Sequence, residues 1–388
     1  MSQKNIKLFR VTTVDISLDK LLKGQLRYLN EHFQVTGVSA DTGLIKGVAE
    51  REGIRTITIP MHREISLAAD VKSLFALYRL FRREKPDIVH ANTPKGSLLA
   101  MVAAWAARVP HRIYTVTGLR YQGATGLFRM ILKTMERLSC AFANKVIPEG
   151  KGVMRTLHED YITRKPLAVL HNGNINGIDT TAFSPDALDV SREEMRRRLE
   201  LTDNDFVFVF VGRIVKDKGM NELADAMRHL QDTPTRRLKL LLVGDFETEL
   251  DSLVSGNEDF FRTNERVRFV GWQDDVRPYL LAADALVFPS YREGFPNVVM
   301  QAGAMGLPSI VTNINGCNEI IIEGQNGIII PPQDEAALES AMRRFLTEPA
   351  DVSRMAASAR GMIQSRYEQK DVWKALLDMY LQELGGDK

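Results

Sequence analysis

Apolar residues follow two rhythms along this chain. Short runs rich in Val, Ile, Leu and Phe, bounded by Gly, Pro, Asn or Asp, predict strands at residues 6–14, 33–39, 54–59, 88–91, 112–116, 145–147 and 167–170. Between them, apolar residues recur every three or four positions over 19–32, 67–84, 95–108 and 126–142, the spacing of a helix with one buried stripe. A second alternating series predicts strands at 206–211, 238–243, 267–270, 285–288, 309–311 and 327–330. Two helical patterns, 352–365 and 369–384, close the chain with no strand after them.

Strands alternating with helices are the sequence form of repeated βαβ units, hence an α/β fold with parallel sheets. The stretch 171–205, rich in Gly, Asn, Asp and Thr and then in charge, holds the boundary between the two series. The expected division is an N-terminal Rossmann-like domain over 1–175, a second over 176–365, and a C-terminal helix over 366–388 packing back toward the first. Two such domains in succession predict two facing halves with an interdomain cleft. In sheets of this kind, ligands collect at the carboxyl ends of the strands, so the loops after strands are where chemistry belongs.

Composition narrows the class. The 388 residues suit two domains, and 44% hydrophobic with 26% charged residues excludes a disordered, collagenous or coiled-coil chain. The longest nearly charge-free apolar run, 97–107, falls short of the roughly 18 residues a membrane-spanning helix needs. The opening Met-Ser-Gln-Lys-Asn leads into a strand without the regions of a secretory signal, so a cytoplasmic protein is expected. Cys140 and Cys317 suggest neither a disulfide framework nor a thiolate metal site. The net charge of +2 conceals an asymmetry: residues 1–170 carry 27 Lys plus Arg against 14 Asp plus Glu, the remainder 24 against 35. A basic lobe attracts phosphates, nucleic acid or anionic lipid, unless the charges are simply solvated surface.

Two constellations follow strands of the second series. In Val211-Gly212-Arg213-Ile214-Val215-Lys216-Asp217-Lys218-Gly219, Gly212 permits a tight exit from the strand. Arg213 and Lys218 can converge above the sheet and clamp a diphosphate, one as a fork and one as a point charge. In Arg292-Glu293-Gly294-Phe295-Pro296-Asn297-Val298-Val299-Met300-Gln301, Pro296 reads as the first residue of a helix. The amides of Asn297, Val298 and Val299 would then face an anion at a positive helix end. Glu293, just ahead, suits hydrogen bonds from a polyhydroxylated group attached to that anion. Asp203-x-Asp205 superficially resembles an acidic metal motif and reads as a turn.

Gly212-Arg213…Lys218-Gly219 together with Glu293-Gly294-Phe295-Pro296 resembles the nucleotide-sugar site of retaining family 4 glycosyltransferases of the GT-B fold. Supporting matches run along nearly the whole chain: Asp87-Ile88-Val89-His90, Thr93-Pro94-Lys95-Gly96, Asn176-Gly177-Ile178-Asp179, Val243-Gly244-Asp245 and Gly306-Leu307-Pro308. The resemblance implies that Arg213 and Lys218 hold the donor diphosphate and stabilise the leaving nucleoside diphosphate, and that Gly212 and Gly244 belong to the donor site. It implies that Glu293 contacts the donor sugar with Gly294, Phe295, Pro296, Asn297 and Val298 around it, and that position 301 binds the ribose. It implies catalysis without metal or cofactor. The sequence departs from the family at Gln301, where a carboxylate is usual, at Thr117, where His is common, and in the loop 12–17, which lacks paired glycines.

On the acceptor side, His90, Lys95, Arg120 and Tyr121 follow strands of the first series and are the candidate contacts. His90 either meets a ligand or is a satisfied buried imidazole. The pattern 127–138 interleaves basic and large apolar residues, fitting a helix in a membrane interface or one packed on the sheet with its cations in water. The expected activity is transfer of a hexose or N-acetylhexosamine from a nucleoside-diphosphate sugar, a UDP-sugar, to a polyprenyl-diphosphate-linked saccharide on an anionic membrane, at the cytoplasmic face of a bacterial inner membrane. A nonhydrolysing nucleotide-sugar 2-epimerase and a non-catalytic lipid-binding module are the alternatives. Nucleic acid is not an expected partner, because aromatics do not interleave the basic clusters.

Overall fold

The computed structural model describes residues 5–62, 64, 66–230, 237–247 and 251–385. They form two compact units, Met1–Gly177 with Gln369–Lys388, and Ile178–Glu368. The first holds β1 (Lys7–Val14), β2 (Gln34–Ala40), β3 (Arg55–Thr58), β4 (Ile88–Ala91), β5 (His111–Val116) and β6 (Lys145–Pro148) in a parallel sheet of order β3-β2-β1-β4-β5-β6. The second holds β7 (Asp205–Val211), β8 (Arg237–Val243), β9 (Val267–Phe269), β10 (Ala285–Phe288), β11 (Ser309–Thr312) and β12 (Gly327–Ile330) in the order β12-β11-β10-β7-β8-β9. Each sheet therefore reverses its winding once, between β1 and β4 in one and between β7 and β10 in the other. Those are the switch points at which doubly wound sheets bind ligands.

Both faces of each sheet are covered, which explains why the strands read as continuous apolar runs. In β1, Phe9 and Val11 face one apolar layer while Leu8 faces the other. The Leu8 layer includes Leu376, Leu377 and Tyr380 of the helix Gln369–Gly385, so this last helix completes the core of the first unit. Arg10 shares that face, fully buried, its guanidinium donating to Gln25 Oε1 at 2.6 Å, Asn92 Oδ1 at 3.2 Å and Tyr380 Oη at 3.4 Å.

Three expectations are corrected. The helix expected over 19–32 is two, Asp15–Leu21 and Gln25–Asn30, broken at Gly24. There φ is +80°, and a Cβ would lie 2.7 Å from the Trp373 ring. No strand forms over 167–170; Pro166 removes a donor there, and the segment runs beside the sheet unpaired in any ladder. The helices Ile45–Glu52 and Lys151–Glu159 were not anticipated. Asp205 accepts from Thr202 N and Oγ1 at 2.7 and 3.0 Å, closing the turn into β7.

Candidate active site

In the second unit the exits from β7, β8 and β10 lie side by side. Gly244, just past β8, has φ +137°, and a Cβ there would sit 1.9 Å from the Gly212 carbonyl oxygen. Its role is to let two strand exits touch, and its own amide is taken by the Gly271 carbonyl at 2.8 Å. Beyond Gly212 the chain makes a tight turn, Lys216–Lys218, closed by Gly219 in the left-handed region at φ +72°. A Cβ on Gly219 would lie 2.1 Å from the Pro289 carbonyl, so only glycine lets this turn press against the exit of β10.

That contact is stitched by polar bonds. Tyr291 N–H donates to the Asp217 carbonyl at 2.9 Å, and Arg292 Nη2 to Asp217 Oδ2 at 2.8 Å. Lys218 Nζ is ion-paired with Glu293 Oε1, and Ser290 Oγ donates to the same oxygen at 3.0 Å. The two side chains are only 15% and 18% exposed, so their attraction is less screened than that of a surface pair. The Lys218 ammonium also lies 5.7 Å from the centre of the Phe288 ring. Thus the structure brings Lys218 and Glu293 together directly. Arg213 is half-exposed and turned to Glu247, Nη1 to Oε2 at 2.9 Å, so its expected convergence with Lys218 is not the arrangement seen.

The helix after Glu293 runs Asn297–Ala304, one residue later than anticipated, because ψ of 113° places Pro296 outside the helix at the cap. Val299 N–H turns back to the Pro296 carbonyl at 3.2 Å and is not offered to an anion as expected. Phe295 is buried, its ring 5.5 Å from that of Tyr367, anchoring the loop that carries Glu293 and Gly294. Gln301 is half-buried one turn into this helix. Ser290 is not singled out by the sequence, where its one signal is a place two residues past the end of β10.

In the first unit, three of the four acceptor candidates point inward. His90 is 1% exposed, with Nδ1 2.5 Å from Tyr380 Oη and Nε2 2.7 Å from Thr115 Oγ1, and burial followed by the Arg10 charge pushes its pKa well below the usual range. Lys95 is buried against Asp70, Nζ to Oδ1 at 2.5 Å, and donates to the Glu64 carbonyl, so its charge is answered within the fold. Tyr121 is wholly buried, under the Lys133 ammonium at 5.2 Å. Arg120 alone is exposed. An open hollow of about 600 Å³ lies at the carboxyl ends of β1 and β2, lined in part by Val14, Ile16, Thr42, Met61 and His62.

The helix Gly126–Phe142 packs one side inward and keeps further apolar residues outside. Leu132, Glu136, Ser139 and Cys140 face inward. Leu127, Met130, Ile131 and Leu138 are 73%, 65%, 44% and 41% exposed. Lys133 pairs with Asp160 at 2.6 Å along one flank, and Arg137 donates to the Tyr161 carbonyl at 3.3 Å.

The Lys218–Glu293 pair thus stands at the switch point of a doubly wound parallel sheet, and comparison with known proteins gives the family. Residues 205–348 match the glycosyl transferases group 1 family, and 24–173 match the glycosyl transferase 4-like domain. The chain is 31% identical to the capsular polysaccharide biosynthesis glycosyltransferase CapM of Staphylococcus aureus over 97% of both chains. It is 28% identical to the UDP-Gal:alpha-D-GlcNAc-diphosphoundecaprenol alpha-1,3-galactosyltransferase of Escherichia coli, over 91% of this chain and 90% of that one. Anabaena HepE, crystallised with UDP and glucose, superposes with a TM-score of 0.79 at 18% identity, over 97% of this chain and all of that one. The chain belongs to the group 1 glycosyltransferases and has their GT-B fold of two parallel-sheet units.

Proposed function

We propose that the enzyme transfers a hexose or N-acetylhexosamine, with retention and without a metal, from a UDP-sugar to a polyprenyl-diphosphate-linked saccharide in surface polysaccharide assembly. The observation that carries this reading is the stitched pair of strand exits presenting Lys218 and Glu293 together at the β7/β10 switch point. Lys218, joined by Arg213 once it leaves Glu247, would neutralise the diphosphate and stabilise the departing nucleotide, the electrostatic contribution that dominates such transfers. Glu293 would accept from donor-sugar hydroxyls, and Gln301 from the ribose. Two cations able to answer the diphosphate charge by themselves are what the metal-independent form needs. The UDP named with HepE and the diphosphoundecaprenol named for the E. coli relative favour the donor and acceptor classes.

The acceptor would bind the first unit, at the hollow beside Val14, Ile16 and Thr42, and the exposed Arg120 remains a candidate for its diphosphate. The apolar outer face of Gly126–Phe142, flanked by Arg129, Lys133 and Arg137, supports peripheral contact with an anionic membrane. Among the described residues no helix is long and apolar enough to cross one. The test is a panel of nucleoside-diphosphate sugars, scored for released nucleotide with and without lipid-linked acceptor, in buffer and in EDTA, with the anomeric configuration of the product read by NMR. Release that needs no acceptor, that stops in EDTA, or that gives an inverted product would each refute the corresponding part.

A further inference from the structure

Two residues to which the proposed reaction gives separate tasks are bound to each other. Lys218 is to hold a diphosphate and Glu293 a sugar, yet the ammonium of one lies on the carboxylate of the other. The position of Glu293 is no accident of a mobile side chain. Ser290, fully buried, donates to the same Oε1 at 3.0 Å, and its own carbonyl is held by Thr312 Oγ1. The Asp217 carbonyl lies 3.4 Å from Ser290 Oγ, and Gly219 locks the Lys218 turn against Pro289. Separating the pair therefore gives up the Ser290 hydrogen bond as well as the ion pair.

On the reading of Lys218 as a diphosphate ligand, we infer that Glu293, steadied by Ser290, competes with the diphosphate for Lys218 and so weakens the enzyme's hold on its nucleotide product. An ammonium is a compact point charge. A phosphate oxygen reaching Nζ must displace a carboxylate already there or approach a pair whose positive charge is answered. In a site this shielded from water, the competing anion matters more than it would at the surface. The same exchange runs in reverse after transfer: as the nucleotide departs, Glu293 regains its partner, so Lys218 is not left unpaired. Ser290 is thus a positioning residue, acting on the diphosphate only through Glu293.

The experiment is calorimetric titration with whichever of UDP, GDP and ADP the wild type binds most tightly, on the wild type, Glu293→Gln, Lys218→Ala and the double variant. Glutamine preserves shape and can still accept from Ser290 but carries no charge; Glu293→Ala is the second route if Gln perturbs the fold, and melting without nucleotide checks folding. We expect Glu293→Gln to tighten nucleotide binding about tenfold in the Lys218 background and by less than about twofold in the Lys218→Ala background, because the gain passes through the lysine. Equal tightening in both backgrounds would overturn the exchange and leave Glu293 as a merely repulsive charge. No tightening in the Lys218 background would overturn it too. If Lys218→Ala by itself left nucleotide affinity unchanged, the diphosphate role of Lys218 would fall, a failure distinct from that of the competition.

Discussion

Tyr114 donates its hydroxyl to Glu136 Oε2 at 2.8 Å inside the first unit, the only hydrogen bond from a side chain that this buried carboxyl receives among the described residues. Burial raises the Glu136 pKa to about 7, and the tyrosine bond only partly opposes it. The helix that carries Glu136 turns this carboxyl inward beside Leu132 and Cys140 and leaves Leu127 and Leu138 outside, so apolar residues stand on both of its sides.

Because the folded pKa lies above the unfolded one, protonation favours the folded state. The stabilising effect is complete below pH 4.5 and is lost as pH rises through about 7. Over that window the wild type should lose on the order of 3 kcal/mol relative to Glu136→Gln, which mimics the protonated form. Denaturant melts of both proteins from pH 4 to 8.5 measure it. Parallel curves would show that Glu136 does not titrate in the fold.

The outward leucines can be tested separately. Leu127→Ser with Ile131→Ser should cut partitioning onto vesicles containing anionic lipid at least tenfold, since each buried aliphatic side chain contributes about 1.5–3 kcal/mol. Raising salt should weaken the remainder by screening Arg129 and Arg137. Flotation assays decide the matter, and equal binding to neutral vesicles would remove the electrostatic part.

For the proposed diphosphate ligand, Lys218→Ala should lower turnover by two or more orders of magnitude at saturating donor, roughly 3 kcal/mol of lost charge stabilisation. Steady-state assays of nucleotide release give the number. Near-normal turnover would remove Lys218 from the reaction.

Gln301 and Glu293 should separate kinetically. A ribose contact is equal in ground and transition states, so Gln301→Ala should raise donor KM about tenfold, the value of one or two neutral hydrogen bonds, with kcat little changed. Glu293→Ala should mainly lower kcat, because it acts where charge develops. A kcat abolished by Gln301→Ala with KM intact would move position 301 to the sugar.

What could be read from the chain was whatever depends on neighbours in sequence. Strands such as Phe206–Val211 declare themselves because burial on both faces fills every position with Val or Phe. The loops bearing Lys218 and Glu293 were recognisable as parts of one site, but not as partners, since their meeting depends on Gly219 lying against Pro289. His90 shows the same limit more sharply. Burial is one of its two readings, but the partners that satisfy its ring, Tyr380 at 290 positions away and Thr115, are set by the fold. Gly24 breaks a helix for the sake of Trp373. For Gly126–Phe142 two readings stay open in the sequence, because a helix with apolar residues on both sides does not say which side is core.

The return of Gln369–Gly385 to the first unit bears on how the molecule is made. A ribosome delivers the six strands of the first sheet early, but Tyr380, which ties Arg10 and His90, and Leu376, which covers the Leu8 face, emerge only after the entire second unit. The first-translated half is thus the last to be sealed. Until then the Leu8 face lacks its cover and the Arg10 guanidinium lacks one of its partners.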